Sequence, residues 1–138
     1  MFGGPRASYN PAVNALAQVA AFAAGLVHVM IFVLESALFR RPAAHRTFGV
    51  AADDVEAVRP WAFNQGFYNL FLAAGALGGL VLVWSGSSAE GRAVALFGCA
   101  SMLGAAVVLL ATNRRMLRGA AIQGLLPLIA LVAAVVAG

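Results

Sequence analysis

Four stretches of about 20 or more residues, nearly free of charge and joined by short polar or arginine-bearing connections, constrain this chain more than any motif in it. At 1.5 Å per residue, a helical run of that length matches the roughly 30 Å hydrocarbon thickness of a bilayer. The runs extend from about Val13 to Phe39, Pro60 to Trp84, Arg92 to Thr112 and Leu117 to Ala137. Only 10% of the 138 residues are charged and the mean hydropathy is +0.89, whereas a water-facing domain carries about a quarter charged residues. The expectation is one integral membrane domain over residues 1–138, an all-α polytopic protein folded as an antiparallel bundle of four transmembrane helices. No length remains for a soluble catalytic or nucleic-acid-binding domain.

Local signals mark the ends of the runs. Pro11 precedes the first, and Arg40, Arg41 and Pro42 stop it. It is too long for a signal-peptide core, so it is expected to stay in place as a helix despite Asn14 and Gln18 near its start. Pro60 suits a helix start, and Trp61 and Trp84 on one helix stand about 35 Å apart, which fits tryptophans at the two membrane interfaces. Ser85 to Ser88 and Asn113 to Arg115 make short turns, and Pro127 should kink the last helix. Residues 41–59 form the longest connection, where Val55 and Val58 lie one helical turn apart beside Asp53, Asp54 and Glu56. A short interfacial helix and a solvated loop both fit that pattern. Gly75 with Gly79, Ala100 with Gly104 and Ala120 with Gly124 are small-x-x-x-small pairs that let helices approach closely. In a chain so rich in Ala and Gly they support a compact bundle and not a specific dimer.

The net charge of +4 and isoelectric point near 10.7 come from nine arginines without a lysine. They are scattered between apolar runs rather than gathered in a patch with interleaved aromatics, so nucleic acid is not an expected partner. They mark topology instead. Arg40, Arg41, Arg46, Arg59, Arg114, Arg115 and Arg118 fall on one side of a four-span arrangement, and Arg6 and Arg92 on the other. The positive-inside rule makes the arginine-rich side cytoplasmic and turns both termini away from it. The lone Cys99, inside an apolar run, excludes an intramolecular disulfide and a cysteine-rich metal site. Two histidines and five acids give no haem or di-metal pattern, and His45 is expected to be solvated, so neither cofactor nor metal is expected.

Polar residues within the spans carry the functional information, because each is costly in hydrocarbon unless paired or hydrated. His28 and Glu35 lie two helical turns apart, on one face and about 10 Å along the axis. In the second span Asn64 with Tyr68, and Gln65 with Asn69, are four apart and make two adjoining polar stripes. Thr112 and Asn113 end the third span, and Gln123 lies about two turns into the fourth. From Glu35 onward, all of these fall in the arginine-rich half of their helices, while the outer halves of spans two to four are almost purely Ala, Val, Leu and Gly. If the faces converge, they form a polar pocket open toward the cytoplasm, with His28, Glu35, Asn64, Gln65, Tyr68, Asn69 and Gln123 as candidate ligand-binding residues.

These residues resemble a family of small bacterial four-helix membrane proteins catalogued as domain of unknown function number 1304. The likeness rests on His28 followed seven residues later by Glu35, then on Asn64, Gln65, Gly66, Tyr68, Asn69, Phe71, Leu72, Ala73, Ala74 and Gly75, and last on Gln123, Gly124 and Pro127. It extends from about Leu26 to the end of the chain; Phe39 departs from it, standing where the family usually has a tryptophan. The resemblance implies the fold and a bacterial inner membrane, and brings no activity.

Three functions fit the residues. The first is a site that binds or transports a small polar or amphipathic molecule, with amides and Tyr68 hydrogen-bonding it, Glu35 supplying charge and His28 changing protonation near neutral pH. The second is a membrane enzyme on a lipid or quinone-like substrate, with Glu35 or His28 as acid or base, though no Ser-His-Asp set, H-E-x-x-H or phosphate-binding loop is present. The third is a non-catalytic accessory subunit, homo-oligomeric or part of a larger membrane complex, that uses its small-residue faces as contact surfaces.

Overall fold

A computed structural model describes residues 10–138. Arg6, counted above on the arginine-poor side, lies outside the described residues. Four long helices, α1 (Pro11–Phe32), α3 (Val55–Trp84), α4 (Ser88–Thr112) and α5 (Leu117–Ala137), alternate in direction. A π-helical turn, Val33–Ala37, extends α1, and a short helix α2 (Pro42–Thr47) lies in the long connection. Each long helix is apolar and long enough to cross a membrane. The helices pack in a ring, α1 against α3, α3 against α4, α4 against α5 and α5 back against α1. The chain is therefore an all-α four-helix bundle.

The distribution of side-chain size follows from the solvent. Lipid tails are as apolar as leucine, so burying a large hydrophobe between helices gains little; close backbone approach gains more. The core accordingly consists largely of alanines, among them Ala20, Ala21, Ala24, Ala76, Ala95 and Ala130, with Cys99 and Met102 between them. Leu16, Val19, Phe71, Phe97, Val108 and Val135 point outward. The tightest seam joins α3 and α4. A Cβ at Gly91 would sit 2.5 Å from the Gly79 carbonyl oxygen, and one at Gly98 would sit 2.9 Å from the Ala76 nitrogen. Gly75 and Gly79 thus serve contacts inside the bundle, whereas a Cβ at Gly104 meets nothing.

The turn between α3 and α4 closes as a Schellman motif. Gly86 adopts φ 104°, Gly86 N donates to Val83 O at 3.3 Å and Ser87 N to Leu82 O at 3.0 Å, which satisfies carbonyls that the helix end leaves open. Nearby Arg92, one turn into α4, donates to Ala134 O and Gly138 O at the end of α5, and Trp84 Nε1 donates to Gln18 Oε1 at 2.7 Å. Trp61 and Trp84, at opposite ends of α3, are both exposed.

The long connection differs from both sequence expectations. Its helix is α2, not a segment at Val55 and Val58, and those two valines open α3, which runs through Pro60 from Val55. Pro60 brings no N–H to the carbonyl of Glu56, yet the helix persists because Val55 and Ala62 are buried with Phe39 in a small core backed by Phe48, Val50 and Val58. His45 is not solvated; it is buried, and its Nδ1 donates to Val50 O at 2.8 Å, across a second glycine turn at Gly49 (φ 71°). On the outside, Arg40 grips Glu56 through two bonds of 2.7 and 3.0 Å, and this partner raises the Arg40 guanidinium above its ordinary pKa. Pro127 likewise lies inside α5 without ending it.

Substitutions test the seam. Gly91→Val is expected to destabilise the detergent-solubilised protein by about 2 kcal/mol or more through overpacking, while Gly104→Ala leaves it unchanged or slightly more stable. Thermal unfolding of both variants reads the difference; equal stabilities would place the α3–α4 contact elsewhere.

Candidate functional site

At the arginine-rich end the helices leave a partly open cavity of about 400 Å³. Its polar lining comes from every long helix: Glu35 from the turn extending α1, Gln65 and Asn69 from α3, Asn113 at the end of α4, and Gln123 from α5. Thr47 and Phe48, at the end of α2, close one side, and Met30, Leu34, Leu72 and Leu109 supply apolar wall.

Glu35 is placed by two local features. In the π-helical turn the Leu38 N–H bonds Val33 O, five residues back, at 3.0 Å, a winding that is rare and often found at functional sites. Facing it is Gly66, where an added Cβ would run into the Ser36 hydroxyl and come within 3.2 Å of both Glu35 Cβ and Phe32 O. Only a residue without a side chain lets α3 approach this closely. The approach is secured by Ser36 Oγ donating to Phe63 O at 3.3 Å and by Asn69 Nδ2 donating to Glu35 Oε2 at 2.9 Å. Asn69 Nδ2 also reaches Gln65 O at 3.2 Å. An edge-on contact of Phe32 with Phe67, ring centroids 5.2 Å apart, braces the same crossing. Asn113 also shapes the turn that leads into α5, where its Oδ1 accepts from Arg115 N at 3.2 Å. In α5, Pro127 has no N–H for the carbonyl four residues back, which is that of Gln123.

The structure brings together Glu35, Gln65, Asn69 and Gln123 and leaves out three of the expected residues. Asn64 and Tyr68 are exposed on the outer face of α3. Consecutive helical positions differ by about 100°, so of the two adjoining stripes only one can face inward, and Asn69 is the buried member. His28 is fully buried but lies in the core and not in the cavity lining. Its Nδ1 donates to Ala24 O, one turn back, at 3.0 Å, and its Nε2 has no partner in the protein. Sequence reasoning missed Thr47 and Phe48 as wall residues, because their position depends on the fold of the long connection; the Pro42 start and the Gly49 turn were the available signal. Among the described residues no group of His, Cys, Asp and Glu is placed to hold a metal ion.

A family model described as Protein of unknown function (DUF1304) matches residues 22–135. The chain belongs to this family. The matched stretch contains the second half of α1, the other three long helices in whole or large part, and every polar residue of the cavity. No curated protein and no solved structure matches the chain.

The Glu35–Asn69 pair gives a stability prediction for this DUF1304 protein. Asn69→Leu leaves a buried carboxyl without its donor and should cost about 1–3 kcal/mol, whereas removing both polar groups in Glu35→Leu/Asn69→Leu should recover much of that loss. A double-mutant cycle by thermal unfolding in detergent checks it.

Proposed function

We propose that the cavity at the arginine-rich end is a binding site for a small polar or amphipathic molecule, in a protein that holds or carries that molecule in the membrane. The observation that carries this reading is the convergence of Glu35, Gln65, Asn69, Asn113 and Gln123 from four helices on one space of about 400 Å³. Polar side chains that only tie helices together find partners among themselves; here Glu35 and Asn69 pair, yet they and the other amides still line open volume. The volume lies in the range of small-molecule sites, and its mixed wall of leucines, methionines and a few polar groups is the usual composition of such sites. The reading that assigns catalysis to Glu35 or His28 keeps Glu35 alone as its candidate, because His28 is outside the cavity.

Its ligand is expected in the membrane or cytoplasmic fraction. A fractionated lipid and metabolite extract should raise the unfolding temperature of the purified protein by on the order of 5 °C at saturating ligand. Ala105→Trp, which fills the cavity from its α4 wall, should abolish that shift while leaving the unliganded protein folded. Stabilisation that survives Ala105→Trp puts the ligand elsewhere, and its absence with every fraction sinks the proposal.

Orientation completes the proposal. Arg40, Arg41, Arg46, Arg59, Arg114, Arg115 and Arg118 all lie at the cavity end, which the positive-inside rule turns to the cytoplasm. Cysteines introduced by Ser87→Cys and Asp53→Cys, at exposed positions in opposite connections, test this in intact cells. A membrane-impermeant maleimide should label the first and not the second; the reverse pattern inverts the topology.

A further inference from the structure

The cavity proposed above as a ligand site contains one ionisable side chain, Glu35. The rest of its polar wall is amide and hydroxyl: Gln65, Asn69, Asn113, Gln123 and Thr47. Among the described residues no ion pair reaches Glu35, and its carboxyl group takes one side-chain hydrogen bond, from Asn69.

The titratable groups on the surrounding elements do not supply a countercharge. On its own helix His28 is buried in the core and makes its one bond to Ala24 O. In the long connection His45 is occupied by Val50 O, Arg40 and Arg59 are held by Glu56 on the outer surface, and Arg41 and Arg46 are exposed and do not line the cavity. α4 and α5 contribute no ionisable residue to the wall, and Arg114, Arg115 and Arg118 beside it in sequence are exposed. Exposed guanidiniums at a membrane surface are screened within about 8 Å at physiological salt; they affect how fast a charged ligand arrives more than what is held inside.

Glu35 is buried without a countercharge, and a carboxylate so placed is stabilised by an arriving cation. We infer that, given the ligand-site reading above, the cavity takes an organic monocation with an apolar tail in exchange for the proton of Glu35. On binding, the Glu35 O–H bond breaks and the proton leaves to water at the exposed end near Gln65 and Asn113. The carboxylate pairs with the cation, so the net charge inside the cavity is unchanged. The tail rests on Leu34, Leu72 and Leu109.

The probes are hexyltrimethylammonium, 1-hexanol and hexanoate, which share a tail and differ in charge; the protein is the full chain in a nonionic detergent. Hexyltrimethylammonium has no proton of its own to give, so a pH indicator in weak buffer reads only protons leaving the protein. The expected result is a raised unfolding temperature and release of close to one proton per protein with the ammonium alone. Glu35→Gln should lose the release entirely and weaken binding by at least about tenfold, and Glu35→Asp should keep the release with weaker binding. Equal stabilisation by 1-hexanol, or binding of the ammonium without proton release, overturns the exchange while leaving the ligand site standing. No stabilisation by any of the three, together with no response to the extract, removes both. If Glu35→Gln does not fold, the comparison of the three probes on the parent protein decides.

Discussion

A segment inside a bilayer has no water with which to share its backbone N–H and C=O groups, so each must be satisfied within the protein. That constraint selects helices for all four apolar runs, and it leaves only a weak force to bring them together, because lipid replaces every lost apolar contact. Close approach then depends on side chains that are absent or small. The packing of Gly79 on Gly91 and Ala95, and of Gly98 on Ala76, sets the α3–α4 distance, and the alanines of α1 and α5 set the others. At the arginine-rich end the helices leave a space where polar side chains from four helices meet the apolar wall of Met30, Leu34, Leu72 and Leu109.

The sequence made the fold legible because bilayer thickness acts as a ruler. Spans, turns and the short Ser85 to Ser88 connection follow from run length and from Gly and Ser alone. The details that failed depend on tertiary contact. Pro60 reads as a helix start by its own chemistry, but Val55 and Ala62 are pinned against Phe39, and this draws the helix start back to Val55. His45 reads as a loop histidine, but the α2 turn carries it under Val50. For Pro60 the deciding partner, Phe39, lies far along the chain, whereas for His45 it is Val50, five residues on, reached only because the chain turns at Gly49.

For the site, type was legible and direction was only half legible. Asn64, Gln65, Tyr68 and Asn69 declare two stripes one residue apart, and the sequence contains no rule for which of them faces the bundle. Gly66 settles it: α1 can approach α3 closely only over that position, and Gln65 and Asn69 then flank the approach. The π-helical turn that presents Glu35 was not legible at all, since Val33 to Ala37 holds no proline or glycine to mark a departure from regular winding. Its cause is tertiary as well, for the turn lies against Gly66 and is tied to α3 by Ser36 and Glu35.

The two ends of the bundle are built differently. At the Trp84 end a recess of about 340 Å³ between α1, α3, α4 and α5 is edged by Gln18 and Arg92; both have their polar groups engaged, with Trp84 and with the end of α5. At the other end the amides line open space. Between the two lies the core of Ala24, Ala76, Cys99 and Met102, all fully buried, with His28 buried on the same helix as Ala24. The cavity at Glu35 is therefore walled off from the Trp84 end by packed side chains. At the glycine seam the α3 and α4 backbones touch without intervening side chains, and at Gly66 the turn extending α1 packs on α3 as closely. In the proposed exchange an arriving cation competes with the Asn69 N–H for the Glu35 carboxylate, beside the Ser36–Phe63 bond that also ties the end of α1 to α3.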